Sequence, residues 1–231
     1  MKRKNWGTIL IIIGGLFIGA ALTLIIKNLL EQENAQKMSQ EALESLMETI
    51  PENVEEENPN PVVTATPTLA PEDLEWVEYP DYILNPDMDM PETKIDDIPY
   101  IGYLEFTTLD LKLPIISETT YPYLKKAPCR YEGSAYLDNL VIGAHNYTRH
   151  FGEIGNLSYG DQIVFTDMDG NQFYYEVATI EILQPTQLED LCSGEWPLTL
   201  YTCTLGGKTR VVVRCEKIKE VPYIWTPESE S

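Results

Sequence analysis

Nineteen consecutive residues without a charge, Thr8 to Ile26, constrain this chain more than any other stretch. As a helix they span roughly 28 Å, close to the ~30 Å hydrocarbon core of a bilayer. Lys2, Arg3 and Lys4 precede the run, Lys27 closes it, and Trp6 stands where an interfacial aromatic belongs. The run is longer than the apolar core of a signal peptide, and no small-x-small cleavage site follows. Residues 1–27 therefore read as a basic cytoplasmic tip and an uncleaved transmembrane anchor. Basic residues ahead of the span keep the amino terminus in the cytoplasm, so everything after Lys27 is expected outside a single-pass cell membrane.

Charge divides the remainder. Residues 28–99 carry 19 acidic and two basic side chains, and residues 100–231 carry 18 and ten, within a net charge of −21. Phosphate binding needs a basic footprint, so nucleic acid is excluded as a partner. Residues 28–97 read as an acidic extracellular stalk. Its first part, to residue 50, has helical character on a loose apolar stripe of Leu29, Leu30, Met38, Ala42, Leu46 and Ile50, as a solvated helix would. Pro51, Pro59, Pro61, Pro67 and Pro71 then make an extended linker that cannot bury a core. Asn85–Met90 reads as the end of that linker; a lid over a groove is the lesser alternative.

From residue 98 to 221 the pattern is β-rich, and 222–231 is a tail. Strand-like runs cover 100–107, 109–116, 139–144, 162–167, 172–183, 198–203 and 210–217, with Asp169-Gly170 as a hairpin signal. Seven or eight strands in about 130 residues with little helix make an all-β domain, a closed or nearly closed eight-stranded barrel with short helices. The last two runs form a hairpin around Gly206-Gly207, which sets Cys203 at the end of one strand beside Arg210 at the start of the next. Arg214 shares Arg210's face but lies four residues, roughly 13 Å, further along. A thiol beside a permanent cation suggests a nucleophile.

His145 and His150 are the only histidines. His145 follows the apolar run Leu140–Ala144 at a strand end, where a base can meet a rim thiol. His150, next to Arg149, reads as a surface residue. Cys129, Cys192, Cys203 and Cys215 allow three full pairings outside the membrane, but a nucleophilic Cys203 must stay free. Their spacing lacks the close pairs of a zinc site.

Thr199-Leu200-Tyr201-Thr202-Cys203, Arg210 on the next strand and His145 58 residues before the cysteine together resemble the sortases, membrane-anchored cysteine transpeptidases of Gram-positive bacteria. Ile101-Gly102-Tyr103-Leu104 and Leu113-Pro114-Ile115 also look like that family's first strands. The resemblance spans about Ile98 to Ile218. It departs where the family has glycine immediately before the histidine; here Ala144 intervenes and Gly143 is one place earlier.

The resemblance implies that Cys203 attacks the threonine carbonyl of a Leu-Pro-x-Thr-Gly-like signal in a surface protein or pilin. His145 would serve as acid and base, Arg210 would hold the substrate backbone or the oxyanion, and Thr202 would touch substrate. The acceptor would be an amine of cell-wall precursor or a pilin lysine. No cofactor is required. Some members are modulated by calcium, for which Glu189, Asp190 and Glu195 are candidates, although an exposed acidic loop is the simpler reading. The short 185–197 segment resembles sortases without the long helix of the class B type.

Two rival readings remain open on the residues. One is a different cell-wall cysteine peptidase or transpeptidase. The other is a membrane-tethered β-barrel binding module with structural cysteines. At ordinary pKa values the thiolate is about 3% and the imidazolium about 24% populated at pH 7, so an independent ion pair is below ~1%. Slow turnover with a bell-shaped pH profile is expected.

Overall fold

A computed structural model describes residues 6–51, 80–193 and 195–218. The basic tip, most of the Pro-containing linker and the tail at 222–231 lie outside the described residues.

The nine strands are β1 (Thr93–Ile95), β2 (Ile98–Phe106), β3 (Leu111–Ile116), β4 (Cys129–Glu132), β5 (Leu140–Ala144), β6 (Gln162–Asp167), β7 (Gln172–Leu183), β8 (Leu198–Cys203) and β9 (Arg210–Lys217). Eight of them close a barrel in the order β2-β3-β4-β5-β8-β9-β7-β6, with β6 returning to β2. Closure leaves no free edge among the eight. β1 is appended to β2 through a two-residue turn in which Asp96 and Asp97 both have positive φ, the geometry of a tight hairpin.

The closing seam passes Gly102. Its φ is +141°, and a Cβ there would stand 1.9 Å from the carbonyl oxygen of Thr166. Only glycine lets β2 bulge and still pair with β6. Inside, Ile101, Leu104, Phe106, Ile142, Phe165 and Leu200 are fully buried and hold the walls apart at packing distance. The expected runs in β6 to β9 coincide with the strands. β1 and β4, of three and four residues, are additional.

The longest helix, α1 (Trp6–Thr49), runs unbroken for 44 residues. Its amino-terminal half is long and apolar enough to cross a membrane, and Leu16, Phe17, Ile18 and Leu24 are 64–73% exposed, so lipid is the natural cover. Its carboxy-terminal half is not the solvated stalk expected. Ala35, Ser39, Ala42, Leu46 and Ile50 are buried in one stripe, and Ala42, Leu46 and Ile50 pack with Ile98, Tyr100, Ile116 and Cys129 on the outside of the barrel. Of the stripe expected from sequence, Ala42, Leu46 and Ile50 lie in this seam, whereas Leu29, Leu30 and Met38 stay exposed. Three small residues carry the actual seam, because small side chains let helix and sheet approach closely. α1 and the short α2 (Asp81–Leu84), the described elements on either side of the linker, both pack on the barrel.

The folded unit also begins before residue 98. Met90 is in the main core, and Tyr82 of α2 stacks on Tyr136 with centroids 4.7 Å apart and also meets Phe173. That contact lies beyond the Tyr175–Lys217 pair, about 20 Å along β9 from Arg210. Tyr82 thus covers a different part of the barrel from the Cys203 hairpin.

Leu46 is completely buried at the α1–barrel seam. Leu46→Ala is expected to cost about 2–5 kcal/mol locally. Hydrogen exchange should show protection lost over residues 35–50 while β5, β8 and β9 stay protected. Unchanged protection in 35–50 would contradict the docking.

Candidate active site

β5 and β8 run parallel, and Ala144 pairs with Thr202. The next residues, His145 and Cys203, therefore leave their strands side by side. On the other flank Cys203 pairs with Arg210 of antiparallel β9. Histidine, cysteine and arginine thus stand in a row at adjacent strand positions, each neighbour roughly 5 Å away in backbone terms and on one face of the sheet. Cys203 is exposed, whereas His145 and Arg210 are half-buried. His145 Nε2 and Arg210 Nε are both shielded from solvent and have no hydrogen-bond partner in the protein. Shielded polar atoms without partners are unfavourable, and these two lie on the side chains that flank Cys203.

Thr202, expected to touch substrate, faces the barrel interior instead. It is 3% exposed, and its hydroxyl donates to the Ala144 carbonyl at 2.9 Å. Alternation along the strand forces this, because Cys203 points outward. The bond ties β8 to β5 one residue behind the thiol and the imidazole.

Arg214 is fully committed elsewhere. It pairs across β8 with Thr199 and donates to Glu181 at 2.8 Å, to Thr199 Oγ1 at 3.1 Å and to the carbonyls of Leu191 and Asp190. Those carbonyls end the four-residue helix α3 (Leu188–Leu191), the only helix in the 185–197 segment among the described residues. Arg214 thereby pins this loop against the outer face of β9, and Leu183, Leu191 and Val212 form a small apolar cluster beneath it. The role rests on the hydrogen-bonded register, and position in the sequence alone does not reveal it.

Arg210 is supported by an aromatic platform. Its guanidinium lies 5.9 Å from the Tyr201 ring centroid, and Tyr131 meets the same ring edge-on at 5.7 Å. Tyr201 in turn lies over Gly143, where a Cβ would come within 2.4 Å of the phenol ring. Glycine two places before the histidine is therefore needed to seat the ring that carries Arg210. Tyr201 is a positioning residue that the sequence pattern did not single out.

His145 is held by aromatic neighbours as well. Tyr147 stacks on it at 4.9 Å with an interplanar angle of 22°, and Tyr121 approaches edge-on at 6.0 Å. Burial lowers its pKa, Lys125 lowers it further, and Glu31 of α1 opposes them. His150 is not a surface residue. It is fully buried, 5.5 Å from the Tyr147 ring and against the Ala35 backbone of α1. Docking of α1 is what buries it, which no local feature of the 146–151 loop foretells. Burial, with a smaller contribution from His145, drops its pKa to about 4.

All four cysteines are free. Burial pushes Cys129 up to about 12 and Cys192 up to about 11, and raises Cys215. These three stay protonated at neutral pH, which leaves Cys203 as the exposed thiol. Among the described residues no three His, Cys, Asp or Glu side chains are grouped to hold a metal ion. The Asp190 carboxylate accepts from Gln187 Nε2 at 2.7 Å.

Residues 104–218 match the family model of the sortase domain. No curated protein matches the chain. Similar solved structures include sortase A from Corynebacterium diphtheriae, at 24% identity and a TM-score of 0.48, covering 55% of this chain and 64% of that one. Sortase C1 from Streptococcus suis is 28% identical with a TM-score of 0.47, over 53% and 75% of the two chains. Sortase C from Clostridium perfringens SM101 is 27% identical with a TM-score of 0.46, over 62% and 77%. The chain thus spans less than two thirds of the Corynebacterium protein.

A histidine held neutral costs stability once the unfolded chain binds the proton that the folded chain refuses. His150 is ordinarily half-protonated near pH 6.5 when unfolded, so folding stability should fall as pH drops from about 6.5 towards 4. Denaturant titrations should give a flatter profile in this window for His150→Phe than for the parent. Equal slopes would place the acid sensitivity elsewhere.

Proposed function

Because the chain belongs to the sortase family through its domain at residues 104–218, we propose that it is a cysteine transpeptidase working at the outer face of a membrane. The observation that supports this reading most is the row His145, Cys203, Arg210 across β5, β8 and β9.

In the proposed reaction the Cys203 thiolate adds to the threonine carbonyl of a Leu-Pro-x-Thr-Gly-like signal. Charge accumulates on the carbonyl oxygen, which would accept from Arg210, whose Nε has no partner in the protein. The C–N bond then breaks, the departing glycine amine takes a proton from His145, and a thioester remains on Cys203. An incoming amine, from cell-wall precursor or a pilin lysine, adds to the thioester and passes its proton to His145. The C–S bond breaks, an amide forms, and the Cys203 thiolate is regenerated beside protonated His145. The carbonyl chemistry needs no metal or redox group. The substrate's side chains would meet the loop that Arg214 holds in place.

The lowered pKa of His145 bears on rate. It makes imidazolium scarcer at pH 7 than the ~24% of an ordinary histidine. Removing Cys203 abolishes the nucleophile, and removing His145 is expected to cost about 10²–10⁴-fold.

Two outcomes are expected for the full chain in detergent with a sorting-signal peptide and hydroxylamine. First, kcat/KM for hydroxamate formation is bell-shaped, with its acid limb below pH 6.5 because His145 is shifted down. A rate independent of pH from 6 to 9 would reject the Cys203–His145 pair. Second, Tyr201→Ala lowers kcat about fivefold, the scale of an exposed cation–π contact of about 1 kcal/mol. Tyr201→Phe keeps the ring and should recover most of that loss. Equal effects of the two substitutions would show that the ring does not position Arg210.

A further inference from the structure

The helix that bears the apolar run is the same helix that walls the candidate active site. Glu31 acts electrostatically on both His145 and Tyr147, and the Ala35 backbone meets His150. The buried stripe then climbs from Ala35 through Ser39, Ala42 and Leu46 to Ile50. No break separates these contacts from the apolar half, because α1 is continuous from Trp6 to Thr49. The barrel is thus gripped along its whole docking edge by the helix, and the part of the barrel nearest the apolar run is the His145–Tyr147–His150 loop.

Helical rise sets the height of that loop. Glu31 is four residues past Lys27, which ends the apolar run, so it stands roughly 6 Å above the hydrocarbon edge; Ala35 stands roughly 12 Å above it. The headgroup layer of one leaflet is about 5–8 Å deep. A tilt of the helix would bring the loop closer still. The surroundings suit such a place. Tyr121, which touches His145, is 67% exposed, Lys125 lies over its ring at 5.1 Å, and Arg149 is exposed between Tyr147 and His150. An aromatic and two cations, with Lys27 below them, match an anionic headgroup surface in a chain that is otherwise strongly acidic.

We propose that α1 is a rigid strut, and that it seats the cleft of Cys203 and His145 at the level of the lipid headgroups of its own bilayer. The inference rests on reading α1 as the anchor and Cys203 as the nucleophile. Its partner is the anionic bilayer surface. It follows that a substrate reaches Cys203 most readily when its scissile peptide lies within a few residues of its own membrane segment. A tethered enzyme on a flexible stalk would carry no such restriction.

The test uses the full chain, Cys192→Ala, in vesicles of phosphatidylcholine and phosphatidylglycerol carrying a nitroxide-headgroup lipid. An environment-sensitive fluorophore is attached at Cys203, and in a second protein at Glu48→Cys with Cys203→Ser. Glu48 is exposed on α1 and about 32 Å above Lys27 by helical rise. The Cys203 probe should be quenched several-fold more than the Glu48→Cys probe. A seven-residue polar helical insert after Lys27 keeps the docking face and raises the barrel about 10 Å. It should abolish most of the quenching at Cys203 and slow cleavage of a vesicle-embedded substrate, while cleavage of a soluble peptide is unchanged. Chain retained in the vesicles after carbonate wash with Cys203 no more quenched than Glu48→Cys overturns the strut. Chain released by carbonate overturns the anchor reading and the strut with it.

Discussion

Everything chemical in this protein depends on one strand register. β5 and β8 lie parallel with Ala144 against Thr202, and β8 and β9 lie antiparallel with Cys203 against Arg210. A slip of one residue on either side would turn a reactive side chain into the barrel. The register is fixed from both directions. Thr202 donates to the Ala144 carbonyl from inside, and the Tyr201 ring fills the space over Gly143 from outside. The site is therefore a property of three strands in a closed barrel, which explains why Gly102 at the distant closing seam matters to it.

The two arginines of β9 show how one strand divides its labour. Arg214 is buried and saturated, with Glu181 as its counter-charge and two carbonyls of the loop as acceptors. Removing it would leave the carbonyls of Asp190 and Leu191 without these donors, so its contribution is to order. Arg210, four residues earlier, is held by an aromatic face and keeps a donor unpaired. An unsatisfied shielded donor beside a thiol is unfavourable in the resting protein and useful only when an oxygen arrives. The same holds for the imidazole, whose neutral form is favoured by burial and by Lys125.

Much of this was legible in the sequence. The hairpin was visible because its signals are local: alternating strand formers, a Gly-Gly turn, and a thiol and guanidinium at fixed offsets from it. Arg210 could be chosen over Arg214 from strand rise alone. The long strands β6 to β9 were visible for the same reason. β1 and β4 were not, since three or four residues are too few to show an alternation, and they exist only because β2 and β5 offer them partners. The helix docking was hidden by chemistry. Ala35, Ser39 and Ala42 carry little hydrophobic signal, and their value lies in close approach. His150 was misjudged in consequence, as its burial comes from α1 and not from its own loop. The inward orientation of Thr202 was not legible either, because a family signature says which residues matter and not which way they point.

The proposed chemistry requires a thioester at Cys203. Intact-mass measurement of the full chain quenched in acid after mixing with a Leu-Pro-x-Thr-Gly peptide reports it directly. The predicted result is a mass increase equal to the peptide's amino-terminal acyl fragment, mapped by digestion to Cys203, cleared by added amine and absent from Cys203→Ala. An adduct mapped to Cys192, or cleavage of the peptide that persists in Cys203→Ala, would contradict it.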